Sequence, residues 1–143
     1  MVAYLLPNGD IIKTGTDPSS PFFDAGGFQG YIERYSWDDS LVWSYTLSDS
    51  SIVSHHDIEI LPNGNILVMA WREMTLSEKR NSGRDSMMVD MNAPLWEEVI
   101  YEIRPKPISG ADIVWEWHSS DHLIQEIDPA LPNYGDVASN KGK

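Results

Sequence analysis

Hydrophobic and polar residues alternate along most of the chain with a period of two, which is typical of β-strands that bury one face. The alternation is plain in Ile58-Glu59-Ile60 and in Val114-Trp115-Glu116-Trp117. The sequence contains no sustained helical period, although residues 74–81 can form a helical turn. The pattern therefore predicts short strands at residues 2–6, 10–14, 31–35, 41–45, 57–61, 65–71, 98–104 and 112–117.

The first four predicted strands and the last four are similar in sequence. Leu6-Pro7-Asn8-Gly9-Asp10 returns as Leu61-Pro62-Asn63-Gly64-Asn65, and Val42-Trp43-Ser44-Tyr45 is matched by Val114-Trp115-Glu116-Trp117. Pro-Asn-Gly suits a tight turn, because Pro fixes its φ angle while Asn and Gly accept the left-handed region. The sequence thus predicts an internal repeat, with blade-like copies at about residues 2–46 and 55–118 and a C-terminal loop at 119–143.

Repeated four-stranded antiparallel units indicate a β-propeller. The predicted fold is therefore all-β, with two propeller blades and an incomplete ring, and we expect Trp43, Trp115 and Trp117 in the blade cores. Closed propellers contain about 4–8 blades. Either the chain is a fragment, which we favour, or several chains assemble, since a lone pair of blades leaves apolar edges that promote oligomerisation.

Two longer segments interrupt the strand pattern. Residues 22–30 form a Gly-rich connector, and residues 73–97 are predicted to project as a long loop. The basic cluster at residues 79–84 suits either an exposed loop or a flap over an anion site.

The charge balance narrows the range of partners. The 143 residues include 22 acidic and 10 basic side chains, which gives a formal net charge of −12 at pH 7. This charge disfavours nucleic acid as a partner, because phosphate binding needs clustered Lys and Arg. Apolar runs are too short for a membrane helix, and the first residues lack the charged region of a signal peptide. Cysteine is absent, which excludes disulfides and thiolate metal sites.

The four histidines fall in two short motifs beside predicted strands, His55-His56-Asp57 and His118-Ser119-Ser120-Asp121-His122. In a propeller both motifs are links between blades along one end of the ring, so we expect them near the mouth of the central channel. The residue types leave three alternatives open: proton transfer, capping and packing, or a divalent metal site with nitrogen and oxygen ligands.

Several of these motifs together resemble the bacterial arylsulfotransferase family over about residues 52–137. The resemblance is carried by Ser54-His55-His56-Asp57, Ala70-Trp71-Arg72-Glu73, Trp115-Glu116-Trp117-His118 and Asp121-His122-Leu123-Ile124-Gln125. It implies a propeller enzyme that moves a sulfuryl group from a phenolic sulfate ester to a phenol through a transiently sulfated histidine. It further implies no nucleotide donor, no cofactor, an exported location, and additional active-site residues in later blades beyond Lys143.

Within this resemblance, His56 and His55 are the predicted catalytic residues, for hydrogen bonding or proton transfer at the phenolic oxygen. Arg72 is the predicted sulfate ligand, because a guanidinium binds oxyanions through paired hydrogen bonds, with an ordinary salt bridge as its alternative. Asp57, His118 and His122 complete the predicted substrate-binding set, with capping or packing as their alternatives. The alternative function is a non-catalytic propeller module that binds a ligand, a protein or a metal.

Overall fold

The computed structural model describes residues 1–19 and 26–140, which fold mainly into β-strands. One α-helix, α1 (Leu76–Asn81), and two short 3₁₀ helices, Ser119–His122 and Ala138–Asn140, lie in the same ranges. Every predicted strand overlaps an observed one, so the all-β prediction is confirmed. The strands are β1 (Ala3–Leu5), β2 (Ile11–Thr16), β3 (Gly30–Tyr35), β4 (Leu41–Thr46), β5 (Ile52–Ile60), β6 (Ile66–Glu73), β7 (Trp96–Pro105), β8 (Ile108–Ser109) and β9 (Ala111–His118).

The strands form two sheets, with the orders β1-β2-β3-β4-β8 and β5-β6-β7-β9. The two Pro-Asn-Gly turns fold alike. Gly9 donates its backbone N–H to the Leu6 carbonyl at 2.9 Å, and Gly64 donates to the Leu61 carbonyl at 2.9 Å. Both glycines take left-handed φ angles, of 90° and 84°. The sequence repeat is therefore also a repeat of turn geometry and strand order.

The first sheet contains a fifth strand that the sequence analysis does not predict. β8 pairs parallel with β4, with Trp43 opposite Ile108. The Trp43 indole donates to the Gly110 carbonyl at 3.0 Å, and the Gly110 N–H donates to the Ser44 carbonyl at 2.8 Å. These bonds hold the turn after β7 against the edge of β4. The prediction of four antiparallel strands is thus wrong for this sheet, which has a short fifth strand that is parallel to its neighbour.

The chain divides into two compact units: unit 1 comprises Met1–Trp71 and Val99–Trp117, and unit 2 comprises Arg72–Glu98 and His118–Lys143. The apolar core lies in unit 1 and includes Ile32, Trp43 and Val68. Trp43 is buried, as predicted. The prediction is wrong for Trp115, which is 49% exposed, because β9 lies at the edge of its sheet.

Unit 2 contains the segment predicted as an uninterrupted loop. The segment instead begins and ends in strands and contains α1, so only the helical turn expected at residues 74–81 is confirmed. A capping box begins the helix, because the Thr75 hydroxyl accepts from the Glu78 N–H and the Glu78 carboxylate accepts from the Thr75 N–H. In the basic cluster, Lys79 is buried and its Nζ donates to the Ala93 carbonyl at 2.9 Å.

The predicted connector at residues 22–30 lies partly outside the described residues. Within the part of the chain that the structure describes, no helix has the length and apolar character needed to cross a membrane.

Candidate functional site

In unit 1, the backbone of β5 brings His55 and His56 together. Side chains of adjacent strand residues normally point to opposite faces. His56 has a φ angle of 55°, which interrupts this alternation, and the two rings meet with 2.8 Å between their Nδ1 atoms. Two bonds from another segment hold this conformation: the His56 N–H donates to the Gly27 carbonyl at 2.9 Å, and Gln29 Nε2 donates to the His56 carbonyl at 2.7 Å. His55 is buried, whereas His56 is exposed.

Trp71 and Gly27 complete this histidine pair, although the sequence analysis assigns neither to the site. The Trp71 ring stacks on His55, with 3.9 Å between ring centroids, and meets His56 edge-on at 5.7 Å. A Cβ atom at Gly27 would lie 2.7 Å from His56 Nε2. A larger residue at this position would displace the His56 ring, and the φ angle of 95° at Gly27 independently favours glycine. The Gly-rich composition of the connector was the available sequence signal.

The surroundings of His55 keep its ring neutral. Burial lowers the pKa of His55 to about 4, with a further contribution from the neighbouring His56. The backbone of Ala70 accepts a hydrogen bond from His55, which acts in the opposite direction. The 2.8 Å contact between the two Nδ1 atoms needs one ring to donate and the other to accept, so the two imidazoles hold complementary tautomers.

Asp57 follows the pair and is exposed. Its carboxylate accepts a hydrogen bond from the Tyr4 hydroxyl at 2.7 Å and another from the Ile58 N–H at 2.7 Å. The hydrogen bond to Asp57 raises the pKa of Tyr4. Tyr4 is thus a further polar group beside the predicted site, and β1 carries it there.

Unit 2 holds the other predicted residues, in a network centred on the buried carboxylate of Glu97. Arg72 donates from Nε to Glu97 Oε1 at 2.6 Å, and His118 Nδ1 lies 3.0 Å from the same oxygen. Arg72 Nη2 also bonds Glu78 at 2.8 Å. The Arg72 guanidinium therefore lies between two carboxylates. Glu97 was not predicted, because the sequence analysis ends the long loop at this residue, whereas the structure places it inside β7.

The charges in this network support one another. Burial raises the pKa of Glu97, but hydrogen bonds from Ser120, His118 and Arg72 outweigh it, so the pKa is lowered and the carboxylate is ionised. The hydrogen bond from Arg72 lowers the pKa of Glu78 to about 2. Burial acts to lower the pKa of Arg72, but Glu78 and Glu97 raise it overall.

A cavity of about 770 Å³, the Arg72 cavity, opens beside this network. Three predicted substrate-binding residues line it, namely Arg72, His118 and His122. Asp121 and Asn133 also line it, so it presents imidazole, amide and carboxylate groups together. The structure thus brings Arg72, His118 and His122 to one surface of unit 2, while His55, His56 and Asp57 belong to unit 1.

The metal alternative gains no support from the arrangement of these side chains. Within residues 1–19 and 26–140, no three His, Asp or Glu side chains form a group that could hold a metal ion. Comparison of the chain with family models, with curated proteins and with solved structures finds no match. A functional assignment must therefore come from the two clusters themselves and from the motifs they contain.

Proposed function

We propose that this chain forms two blades of a β-propeller and contributes a proton-transfer residue, His56, to an aryl-sulfate sulfotransferase that needs no nucleotide donor. The repeated strand order and the matched Pro-Asn-Gly turns support the propeller assignment. The resemblance of the histidine and tryptophan motifs to arylsulfotransferases supports the reaction class.

The single observation that carries the role of His56 is its conformation. A non-glycine residue with a positive φ angle inside a strand costs about 1–3 kcal/mol, and such strain persists where surrounding contacts impose it. Here Gly27 and Gln29 bond the His56 backbone, and the result is an exposed imidazole beside Trp71. Strain of this kind clusters at functional sites, and capping or packing alone does not require it.

The hydrogen bonding of the pair suits proton transfer. In the donor step, the S–O bond of the aryl sulfate breaks as a bond forms between sulfur and the transiently sulfated histidine that the resemblance implies in a later blade, and protonated His56 gives its proton to the leaving phenolate. In the acceptor step, the phenol passes its proton to His56 Nε2 as its oxygen bonds sulfur and the N–S bond breaks. His55 does not compete for this proton, because its pKa is about 4.

The contact between Arg72 and a sulfate oxygen stays a prediction. Two carboxylates bond the guanidinium in this arrangement, so a sulfate oxygen must compete with Glu78 or Glu97. Glu78 is the weaker competitor, because its side chain is 37% exposed whereas that of Glu97 is 2% exposed.

The test is sulfuryl transfer from 4-nitrophenyl sulfate to phenol by the full-length protein with the later blades that the resemblance implies, followed by the absorbance of released nitrophenolate. His56→Asn is the informative variant, because asparagine tolerates the left-handed conformation and removes only the imidazole. We expect its turnover to fall by about 10²–10⁴-fold, the usual contribution of a general acid or base.

Asp39→Asn is the matched control, since Asp39 also has a positive φ angle, of 64°, but lies in an exposed turn. Full activity in folded His56→Asn would refute the role of His56. Aryl sulfate binding without transfer in the wild-type protein would instead favour the ligand-binding module.

A further inference from the structure

Unit 1 contains a second cavity, the Trp43 cavity, with a volume of about 390 Å³. Its walls are mostly apolar and include Ile12, Trp43, Ile66 and Pro107. Volumes of about 300–1,000 Å³ with apolar walls and a few polar groups are typical of small-molecule sites. The Trp43 cavity lies apart from the residues of the proposed transfer reaction, none of which line it.

The register of the first sheet places a cation on the apolar wall. Ile12 is paired with Arg34 across β2 and β3, and Arg34 is paired with Trp43 across β3 and β4. Directly paired residues share one face of a sheet, so Arg34 lies between two core residues that are 2% and 5% exposed. Nothing in apolar packing calls for a guanidinium at this position.

The charges that line the Trp43 cavity have one sign. Its only charged lining residues among the described part of the chain are Arg34 and Lys106, although the whole protein carries a net charge of −12. Each cation has a carboxylate partner that does not line the cavity: Arg34 bonds Asp10 at 2.6 Å, and Lys106 bonds Asp112 at 2.5 Å.

These partners leave hydrogen-bonding capacity for a ligand. Two of the five N–H donors of Arg34, one on Nε and one on Nη2, are directed at the same Asp10 oxygen. The Lys106 ammonium has three donors and lies in an exposed side chain. Each cation therefore keeps donors that an anion can use without displacing the carboxylate.

The wall beside Lys106 is strained. Ile108 lines the Trp43 cavity with a φ angle of 75°, although its side chain is 84% exposed. A left-handed conformation is a true outlier for a β-branched residue. Ile108 lies in β8, opposite Trp43, and presents to the cavity an apolar side chain whose position burial does not explain.

We propose that the Trp43 cavity binds a small amphipathic anion, with an aromatic or aliphatic body against Trp43 and a sulfonate, sulfate or carboxylate group at Arg34 and Lys106. The apolar walls would receive the body of the ligand, since burial of apolar surface drives association. The two cations select the sign of its charge. This site is independent of the proposed transfer reaction and requires no catalytic residue.

The first experiment measures binding of 2-naphthalenesulfonate, with the indole N–H signal of Trp43 in ¹H–¹⁵N spectra as the readout. Trp43→Phe identifies that signal among the indole resonances. We expect saturable binding that shifts it, and uncharged 2-naphthalenemethanol should bind at least about threefold more weakly. Equal affinity for the two compounds, or no shift of the Trp43 signal, would overturn the proposal.

Two matched pairs of variants test the assigned charges. Lys106→Gln should weaken binding about threefold to tenfold, whereas Arg104→Gln should not, because Arg104 shares the Asp112 partner without lining the cavity. Ile108→Asp should weaken binding by a similar factor relative to Ile108→Asn, which has the same shape and no charge. Both aspartate and asparagine tolerate the left-handed conformation.

A third control addresses the exposed apolar residues of β9. Trp115→Gln removes a 49% exposed tryptophan that does not line the Trp43 cavity. Binding should survive this change. Loss of binding in Trp115→Gln together with unchanged binding in Lys106→Gln would place the probe on β9 and refute the site.

Discussion

The two histidine clusters use the same residue type in opposite electrostatic settings. In unit 1, His55 is buried against Trp71 and a second imidazole, and its pKa is lowered to about 4. In unit 2, His118 lies 3.0 Å from the buried, ionised Glu97, which also binds Arg72. The surroundings of His55 disfavour a charge on its buried ring. His118, in contrast, lies beside the negative carboxylate of Glu97 and its positive partner Arg72.

The two clusters therefore suit different roles. His56, in the first cluster, is placed to exchange a proton, whereas His118, in the second, is held in place by its partners. His56 is exposed, and within the described part of the chain its hydrogen bonds are to His55, Gly27 and Gln29, none of which carries a formal charge. His118 belongs to a charge network in which each change affects several bonds at once. The first arrangement suits proton transfer, and the second suits a rigid binding surface beside the Arg72 cavity.

The largest expected effect on stability concerns the carboxylate of the unit 2 cluster. Glu97→Gln removes a buried charge that Arg72 and His118 both contact, which leaves the guanidinium with one partner fewer. Breaking a buried pair typically costs about 3–5 kcal/mol, and we expect a loss near the lower end because glutamine keeps the shape. Urea unfolding followed by tryptophan fluorescence measures it.

Glu59→Gln, at an exposed strand position, is the control and should change the free energy of unfolding by less than about 0.5 kcal/mol. A loss below about 1 kcal/mol for Glu97→Gln would mean that the unit 2 network is not a fixed charge cluster, and the comparison between the clusters would fail.

The next prediction concerns the pH dependence that His55 confers. Its folded-state pKa of about 4 lies below the ordinary value of 6.5, so between these values the unfolded chain binds a proton that the folded protein does not. Stability should therefore fall as the pH drops from about 6.5 to about 4, by up to about 3 kcal/mol. Below pH 4 this contribution is fully lost.

His55→Phe provides the comparison, because it keeps an aromatic ring beside Trp71 and removes the titration. Its thermal midpoint should depend less on pH in this range than that of the wild-type protein. Identical pH profiles would show that the surroundings of His55 do not disfavour its protonated form.

Sequence reasoning located the strands because alternation of apolar and polar residues is a local signal that burial of one sheet face enforces. It missed β8, since two residues paired in parallel leave no such pattern and the pairing depends on the Trp43 indole reaching Gly110. It located α1 only as a helical turn within a long loop, although Thr75 and Glu78 carry the spacing of a capping box that marks the start of a helix.

The sequence indicated the histidines of the candidate site but not the residues that contact them. Adjacent histidines beside a strand are visible in the sequence, but the φ angle of His56 depends on Gly27 and Gln29, which are distant in the chain. In the sequence, Glu97 is the last residue of a predicted loop and shows no sign of burial. Its burial and its bonds to Arg72 and His118 exist only once β6, β7 and β9 are in place.

A smaller effect is expected from two glycines with similar backbone angles, one in each unit. Gly83 in unit 2 has a φ angle of 86°, and a Cβ there would lie 2.2 Å from Gln125 Cγ. Gln125 is buried and accepts hydrogen bonds from the N–H groups of Ile127 and Asp128. Gly83→Ala should therefore cost about 2 kcal/mol, from strain and displacement of that side chain.

Gly9→Ala is the matched control, because Gly9 has a φ angle of 90° and no heavy atom within 4 Å of its Cβ position. It should cost about 1 kcal/mol, from backbone strain alone. Equal costs for the two variants in urea unfolding would indicate that the Gln125 loop adapts and does not brace unit 2.

The smallest expected effect on stability tests the exposed edge of the unit 2 cluster. Glu78→Gln removes one of the two charges that bond Arg72 but keeps a side chain able to accept from the Thr75 N–H. Because Glu78 is partly exposed, we expect a loss of about 0.5–1 kcal/mol in urea unfolding, far less than for Glu97→Gln. The folded-state pKa of Glu78 is about 2 and its ordinary value is 4.5, so this difference should be constant above about pH 5 and should shrink as the pH falls from about 4.5 to about 2.

The same variant tests the role of Arg72, since a guanidinium that binds the donor sulfate should gain affinity when a competing carboxylate is lost. KM for 4-nitrophenyl sulfate should then fall about twofold to fivefold with kcat little changed. An unchanged KM would leave Arg72 as part of an ordinary salt bridge, and the Arg72 cavity would have no part in binding the donor sulfate.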